Sequence, residues 1–379
     1  MKRKDKTKKI LYDNPNEILY VNFNQDGSCL AIGTENGFKI INVSPFIDSY
    51  YKDLKGGIGI IEMLYKSNIL ALVGGGKNPK YKINELILWD EEKDGEICHI
   101  KTNYPILNVK LRENKIFIVN ARQILVFDFN TLNIIDNFQT NNIKGLISLC
   151  YKEDIVAYPD IHNEGTVRIK NYDTNKEYTL KAHKTPLNCI QINQDGTMIG
   201  TCSLKGTLIR IYDIANKQLI REVRRGAESA HVNCIAFDIS KKFFVVVSDR
   251  KTIHIFFLTN NINENQIDNN NNEDIKSNEN DNLEEENYKS NSSSIIINDS
   301  SINNKKSMFG EMSKFLGVGK RYFASEWSFS KFKIISPKTV ASFGPDNTIF
   351  MATYDGKYYQ VSFDPINGGD CIKIQEERF

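Results

Sequence analysis

The chain has 379 residues, of which 40% are hydrophobic and 11% aromatic, enough for a sizeable core in one large domain or two ordinary ones. Lys and Arg number 49 against 47 Asp and Glu, a formal net charge of +2, which argues against a protein that coats nucleic acid through bulk charge. No run reaches the ~18 consecutive apolar residues of a membrane-spanning helix, and 7 scattered cysteines and 5 dispersed histidines lack the paired spacing of a disulfide framework or a metal site.

From the start, residues 1–13 read as a basic, solvated tail carrying Lys2, Arg3, Lys4, Lys6, Lys8 and Lys9. The short apolar run Ile10-Leu11-Tyr12 is broken by Asp13, Asn14 and Pro15, so no signal peptide is expected and the cysteines read as reduced thiols of a cytosolic protein. Residues 14–379 then repeat one grammar of short strands and tight turns. Strands at 21–23, 30–32 and 39–43 are separated by Asp26-Gly27-Ser28 and Glu35-Asn36-Gly37. Gly74-Gly75-Gly76-Lys77 has a phosphate-loop look, but Ala71 stands where the first glycine belongs and Asn78 where the magnesium-binding hydroxyl belongs. It reads as a glycine-rich hairpin loop. Trp89-Asp90, Phe127-Asp128 and Tyr212-Asp213 end strands in the same style, and the grammar returns at 189–212 and 340–363.

Residues 259–325 break the pattern. As far as Ser307 they are mostly Asn, Asp, Glu, Ser and Lys, a composition that cannot offset its ordering entropy, and they read as a disordered insertion. By this reading 260–305 can be deleted with little effect. Setting aside 260–325 leaves about 313 residues, roughly 45 per unit over seven units, the WD-repeat range, where six would need about 52. The expected fold is therefore all-β, a seven-bladed β-propeller of WD-repeat type. Its blades lie near 14–54, 55–100, 101–140, 141–180, 181–222, 223–335 and 336–379, and the insertion falls before the last strand of blade 6.

No Gly-x-Ser-x-Gly elbow and no His-Glu-x-x-His appear, and the Asp and Glu residues fall in turns. No catalytic set, metal site or cofactor motif is identified, and a non-enzymatic protein is expected. The informative tetrapeptide is Val223-Arg224-Arg225-Gly226. On an extended chain the two arginines point to opposite sides, so they can serve two ligands, one on each flank. Upstream stand His183, Thr201, Ser203, Thr207 and Arg210, with Gly206 in the hairpin; downstream stand Ser248, Arg250, Thr252 and His254. Each group combines hydroxyls, a histidine and an arginine, the donor set of an anion pocket for phosphate. Taken alone, His183 reads as part of a structural His–Thr network within a blade. Acting as phosphate partners, His183 and His254 would raise affinity from pH 8 towards pH 6.

Arg-Arg-Gly after a hydrophobic residue, between two blades, resembles the PROPPIN family, whose members usually have Phe or Leu where this chain has Val223. Lys205-Gly206-Thr207, Thr252-Ile253-His254, Gly37-Phe38-Lys39-Ile40, Ala157-Tyr158-Pro159 and Ser325-Glu326-Trp327 are similar to other stretches of that family. The resemblance implies a propeller binding phosphatidylinositol 3-phosphate and 3,5-bisphosphate at two rim sites. One would use His183, Thr201, Ser203, Gly206, Thr207, Arg210 and Arg224; the other would use Arg225, Gly226, Ser248, Thr252 and His254, with Gly226 letting the backbone pass closely. Arg250-Lys251 departs from the family's usual pair, which puts Arg250 in doubt. The resemblance also implies a monomer without cofactor, recruited from the cytoplasm to preautophagosomal, endosomal, vacuolar or plastid membranes. There it would bring lipid-transfer or conjugation machinery of autophagy. Met308, Met312, Phe315 and Leu316 have helical spacing where the family has a membrane-inserting loop; Phe309, Met312, Phe315 and Leu316 are the candidates for membrane insertion, and a core segment is the competing reading. The competing function is a WD-type protein scaffold without lipid binding.

Overall fold

The computed structural model describes residues 17–258, 302–306, 326–336 and 338–379. They form seven sheets, each built on four antiparallel strands; the short strands Lys305–Lys306 and Glu326–Trp327 come before the last of these in blade 6, and Gly369–Asp370 before the last in blade 7. The first strand of every sheet lines the central channel, through Asn22, Glu62, Lys110, Ser148, Gln191, Cys234 and Ser342 in blades 1 to 7. The second strands, such as Cys29–Thr34, Met198–Ser203 and Phe243–Ser248, are buried on both faces. They are sandwiched by the neighbouring blades, so their sequences are continuously apolar or small. The outermost strands alternate, as in Ile47–Asp53, because one side faces solvent.

Seven apolar clusters hold the described ring together, one between each pair of neighbouring blades. Blade 1 takes its strands from Ile18–Phe23 to Ile47–Asp53, and blade 7 takes its own from Thr339–Phe343 to Ile372–Arg378. Closure therefore rests on packing between them: Val21, Leu30 and Ile41 meet Phe350, Tyr358 and the buried Phe379. Hairpin chemistry recurs with the blades. Asn24 Oδ1 accepts from the Cys29 N–H at 3.0 Å, and Asn193 Oδ1 accepts from the Met198 N–H at 2.9 Å. Gly27 and Gly196 supply φ of +73° and +76° at the following turn. The 74–77 run is a loop of close approach: a Cβ on Gly74 would lie 1.8 Å from the Tyr81 oxygen, and the Lys77 N–H donates to the Glu35 carboxylate at 2.9 Å.

One expectation is corrected. Residues 302–306, placed by composition in the disordered insertion, are built into the fold. Ile302 is buried with Phe243, Phe257 and Phe329, and the Asn304 amide donates to the Phe257 carbonyl at 2.8 Å and accepts from its N–H at 2.7 Å. An Asn side chain reproduces both groups of a peptide, so it caps the free edge of Phe257 as another strand would. Lys305–Lys306 then pairs with Glu326–Trp327, which runs parallel to the outer strand of blade 5 at Val223. The last strand of blade 6, Ser330–Lys333, follows directly. The expected tail at 1–13 and the expected membrane-inserting residues Phe309, Met312, Phe315 and Leu316 lie outside the described residues.

Candidate functional site

Register decides which side chains share a face of blade 5. Thr201 pairs with Arg210 and Arg210 with Glu222; one row further, Leu208 pairs with Arg224. Directly opposite residues and those two apart lie on the same face, so Thr201, Ser203, Arg210, Glu222 and Arg224 form one surface. Ile199 and Tyr212, on that same face, pack against Ala157, Val167 and Leu180 of blade 4. This surface therefore looks into the cleft between blades 4 and 5. His183 enters the cleft just beyond the outer strand of blade 4, its N–H held by the Gly165 carbonyl at 2.9 Å.

The imidazole Nε2 lies 3.0 Å from Thr201 Oγ1, and the Thr201 hydroxyl donates to the Arg210 carbonyl at 3.3 Å. With that proton spent, His183 is the donor to Thr201, and its neutral ring keeps a lone pair on Nδ1. Burial, with the positive Arg210 beside it, pushes His183 down to about 4. Arg210 is itself held: Nη1 donates to the Ala182 carbonyl at 2.6 Å and Nε to Glu222 Oε2 at 2.7 Å.

Arg225 falls on the other side. It shares the parity of Val223, which packs with Cys202 and Ile209 against Val232, Phe244 and Val246 of blade 6. The side chain is only 4% exposed; Nε donates to the Gly206 carbonyl at 3.0 Å and Nη2 to the Glu228 carbonyl at 2.5 Å. Facing it across the cleft between blades 5 and 6, Val246 pairs with His254, His254 with Lys331, and Thr252 with Lys333. Ser248 lies buried at the end of the adjoining strand. His254 Nδ1 is 3.2 Å from Ser328 Oγ. Burial, then the charges of Arg225 and Lys331, push this histidine to about 4 as well. Both rings thus titrate below the pH 6–8 range in which the sequence reading places them.

The structure brings the two arginines to opposite clefts. Thr207 is placed differently from the row of Thr201 and Arg210: its carbonyl accepts the Arg225 N–H at 2.9 Å, so it stands at the seam between the clefts. Gly206 is a structural necessity there, with φ +58° and space in which a Cβ would lie 1.9 Å from the Ala230 oxygen. Gly226 differs from expectation, since a Cβ there would meet nothing within 4 Å among the described residues, and no described backbone passes close to it. Arg250 is turned to the 228–229 loop, donating to the Ser229 carbonyl at 2.9 Å and lying 3.4 Å from Glu228 Oε2. Glu222, Ser328, Lys331 and Lys333 were missed by sequence reasoning. The available signal was the alternation Ser330-Lys331-Phe332-Lys333, which puts two lysines on one face of a strand.

The strand carrying the arginines is braced from outside. Arg221 pairs with Glu326 through Nε at 2.7 Å and Nη2 at 3.2 Å and also donates to the Leu258 carbonyl, while Asn304 reaches Glu326 at 2.9 Å. Among the described residues no group of three or more His, Cys, Asp or Glu side chains is placed to hold a metal ion, and no helix is long and apolar enough to cross a membrane.

A model of the PROPPIN family matches residues 18–275. SVP1-like protein 2 of Saccharomyces cerevisiae is 34% identical over 293 residues; the match covers 66% of this chain and 65% of the relative, just under two thirds of its length. Autophagy-related protein 18 of Yarrowia lipolytica is 26% identical over 393 residues, covering 95% of this chain and 96% of the relative. The crystal structure of Kluyvelomyces marxianus Hsv2 superimposes with a TM-score of 0.70 at 22% identity, over 96% of this chain and 99% of that one, a likeness of fold.

Proposed function

This chain belongs to the PROPPIN family, and from that premise we propose that it is a non-enzymatic phosphoinositide effector. It takes phosphatidylinositol 3-phosphate and 3,5-bisphosphate into the two clefts that flank the outer strand of blade 5. It brings autophagy or organelle-biogenesis machinery to the cytoplasmic face of the membrane so marked. The observation that carries this reading is the division of Arg224 and Arg225 between two clefts, each lined by hydroxyls and a histidine. Two anion pockets beside one strand can engage one membrane together, and two weak sites acting together gain by avidity.

The test is flotation with phosphatidylcholine vesicles carrying either lipid. Arg224→Thr and Arg225→Thr singly should weaken flotation, and the pair should abolish it without lowering the melting temperature by more than a few degrees. Each loss removes charge-assisted bonds, about 1.5–3 kcal/mol apiece. A folded double variant that floats as the unaltered chain does would show that the clefts are not the lipid sites. A WD-type scaffold without lipid binding predicts instead that the unaltered chain itself does not float with either lipid.

A further inference from the structure

The outer strands of blades 5 and 6 stand in matching registers beside the two clefts, with different charges. In blade 5, Arg210 on the third strand faces Glu222, and Leu208 faces Arg224. In blade 6, His254 on the third strand faces Lys331, and Thr252 faces Lys333. Lys331 therefore holds the place of Glu222, and Lys333 the place of Arg224.

The difference changes what each cleft offers an anion. Between blades 4 and 5, Glu222 already takes the Arg210 Nε–H at 2.7 Å, so a phosphate there has to compete with a fixed carboxylate. Between blades 5 and 6, Arg225 is held by two carbonyl oxygens, which orient the guanidinium without neutralising it. Lys331 lies 3.6 Å from Asp370, whose side chain is 81% exposed, a contact water and salt screen readily. Lys331 and Lys333 lie two residues apart on one strand face, about 7 Å along the strand, spaced to meet separate phosphates of one ring. His254 faces Lys331 across the strand pair, and the charges of Arg225 and Lys331 both oppose its protonation.

We propose that Lys331 and Lys333 make the blade 5–6 cleft the site for a doubly phosphorylated inositol ring, and that the blade 4–5 cleft, with Glu222 in the place of Lys331, receives a singly phosphorylated one. The assignment rests on the reading of both clefts as phosphoinositide sites. It sorts the two lipids between two pockets of one molecule by charge count and register.

Two single-cleft proteins test it: Arg224→Thr, which keeps the blade 5–6 cleft, and Arg225→Thr, which keeps the blade 4–5 cleft. Each is titrated by calorimetry with soluble inositol 1,3-bisphosphate and inositol 1,3,5-trisphosphate, the headgroups of the two lipids. The Arg224→Thr protein should prefer the trisphosphate by about tenfold or more, and the Arg225→Thr protein by no more than about twofold. Adding Lys331→Gln and Lys333→Gln to Arg224→Thr should erase that preference by lowering trisphosphate affinity about tenfold more than bisphosphate affinity. Equal preferences in the two single-cleft proteins, or a preference that survives loss of both lysines, would overturn the assignment. Flotation with vesicles carrying either lipid is the second arm, and a preference seen on vesicles but absent with soluble headgroups also overturns it, because bilayer charge would then be the cause. If neither protein binds either headgroup while both melt like the unaltered chain, the phosphoinositide reading fails and takes this assignment with it.

Discussion

Acidification should weaken this propeller through its two cleft histidines. Unfolded, each ring takes a proton near ~6.5; folded, each resists it until about 4. Between those values the unfolded chain binds more protons, so stability falls as pH falls and recovers as pH rises. For one such histidine the linkage amounts to about 2 kcal/mol between pH 7 and pH 5. The assay is urea unfolding at both pH values, followed through Trp89 and Trp327 fluorescence, on the unaltered chain, His183→Gln and His254→Gln. Each variant differs in absolute stability, since His183 loses its bond to Thr201. That loss is common to both pH values and cancels in the comparison. Each variant should therefore lose about 2 kcal/mol less than the unaltered chain on going from pH 7 to pH 5. Equal losses in all three proteins would refute the argument that burial and adjacent cations keep these rings neutral.

Further outcomes follow from particular contacts. Between pH 8 and pH 7 the affinity for soluble inositol 1,3-bisphosphate should change by less than about twofold, because rings that titrate at about 4 are neutral throughout; calorimetry reads it directly. Gly206→Ala should lower stability by at least about 1–2 kcal/mol from the left-handed backbone alone, and should weaken vesicle binding, because the displaced Gly206 carbonyl orients Arg225. Deleting 260–300 should leave urea stability nearly unchanged, since closure entropy varies slowly with loop length, whereas deleting 260–305 also removes Ile302 and Asn304 and should lower it clearly. Changing Phe309, Met312, Phe315 and Leu316 together to Ser should spare soluble headgroup binding and strongly reduce flotation; a lowered melting temperature with loss of both would favour the core reading instead.

Most of the fold was legible because a propeller repeats. Recurring turn signals, the Trp-Asp strand ends and a unit of roughly 45 residues point to a seven-bladed all-β fold without knowledge of any contact. The division of Arg224 from Arg225 was equally legible, since alternation along a strand is a local property. What composition could not give lay across the insertion. Asn304 sits among asparagines that look alike in sequence, and only its seat beside the edge of Phe257 makes it structural. Lys331 and Lys333 follow the insertion by chain order but line Arg225's cleft in space, because Ser330–Lys333 pairs back onto Thr252–Phe257. The histidine titration was misjudged for a related reason. A ring's exposure and the cations around it belong to the packed blades and leave no trace in spacing.

The pairing of each arginine with backbone oxygen bears on how such a cleft can be both stable and receptive. A guanidinium has five N–H donors, and a carbonyl that accepts one or two fixes its plane while leaving its charge intact. Arg225 is arranged in this way, with Gly206 and Glu228 supplying main-chain oxygens from the turns on either side. The ordering of a long side chain is then completed during folding and need not be repeated on binding, where an immobilised side chain costs about 0.5–1.5 kcal/mol. Arg210 has the same carbonyl support from Ala182 but also a carboxylate partner in Glu222. An anion arriving there exchanges one negative partner for another, and the gain is only the difference between them. If this reasoning holds, Glu222→Gln in the Arg225→Thr background should raise the affinity of the blade 4–5 cleft for inositol 1,3-bisphosphate by about tenfold, the order of one charge-assisted hydrogen bond. Calorimetry on that pair of variants measures it. An unchanged or lowered affinity would mean that Glu222 chiefly positions Arg210, and that competition between carboxylate and phosphate is not what limits the cleft.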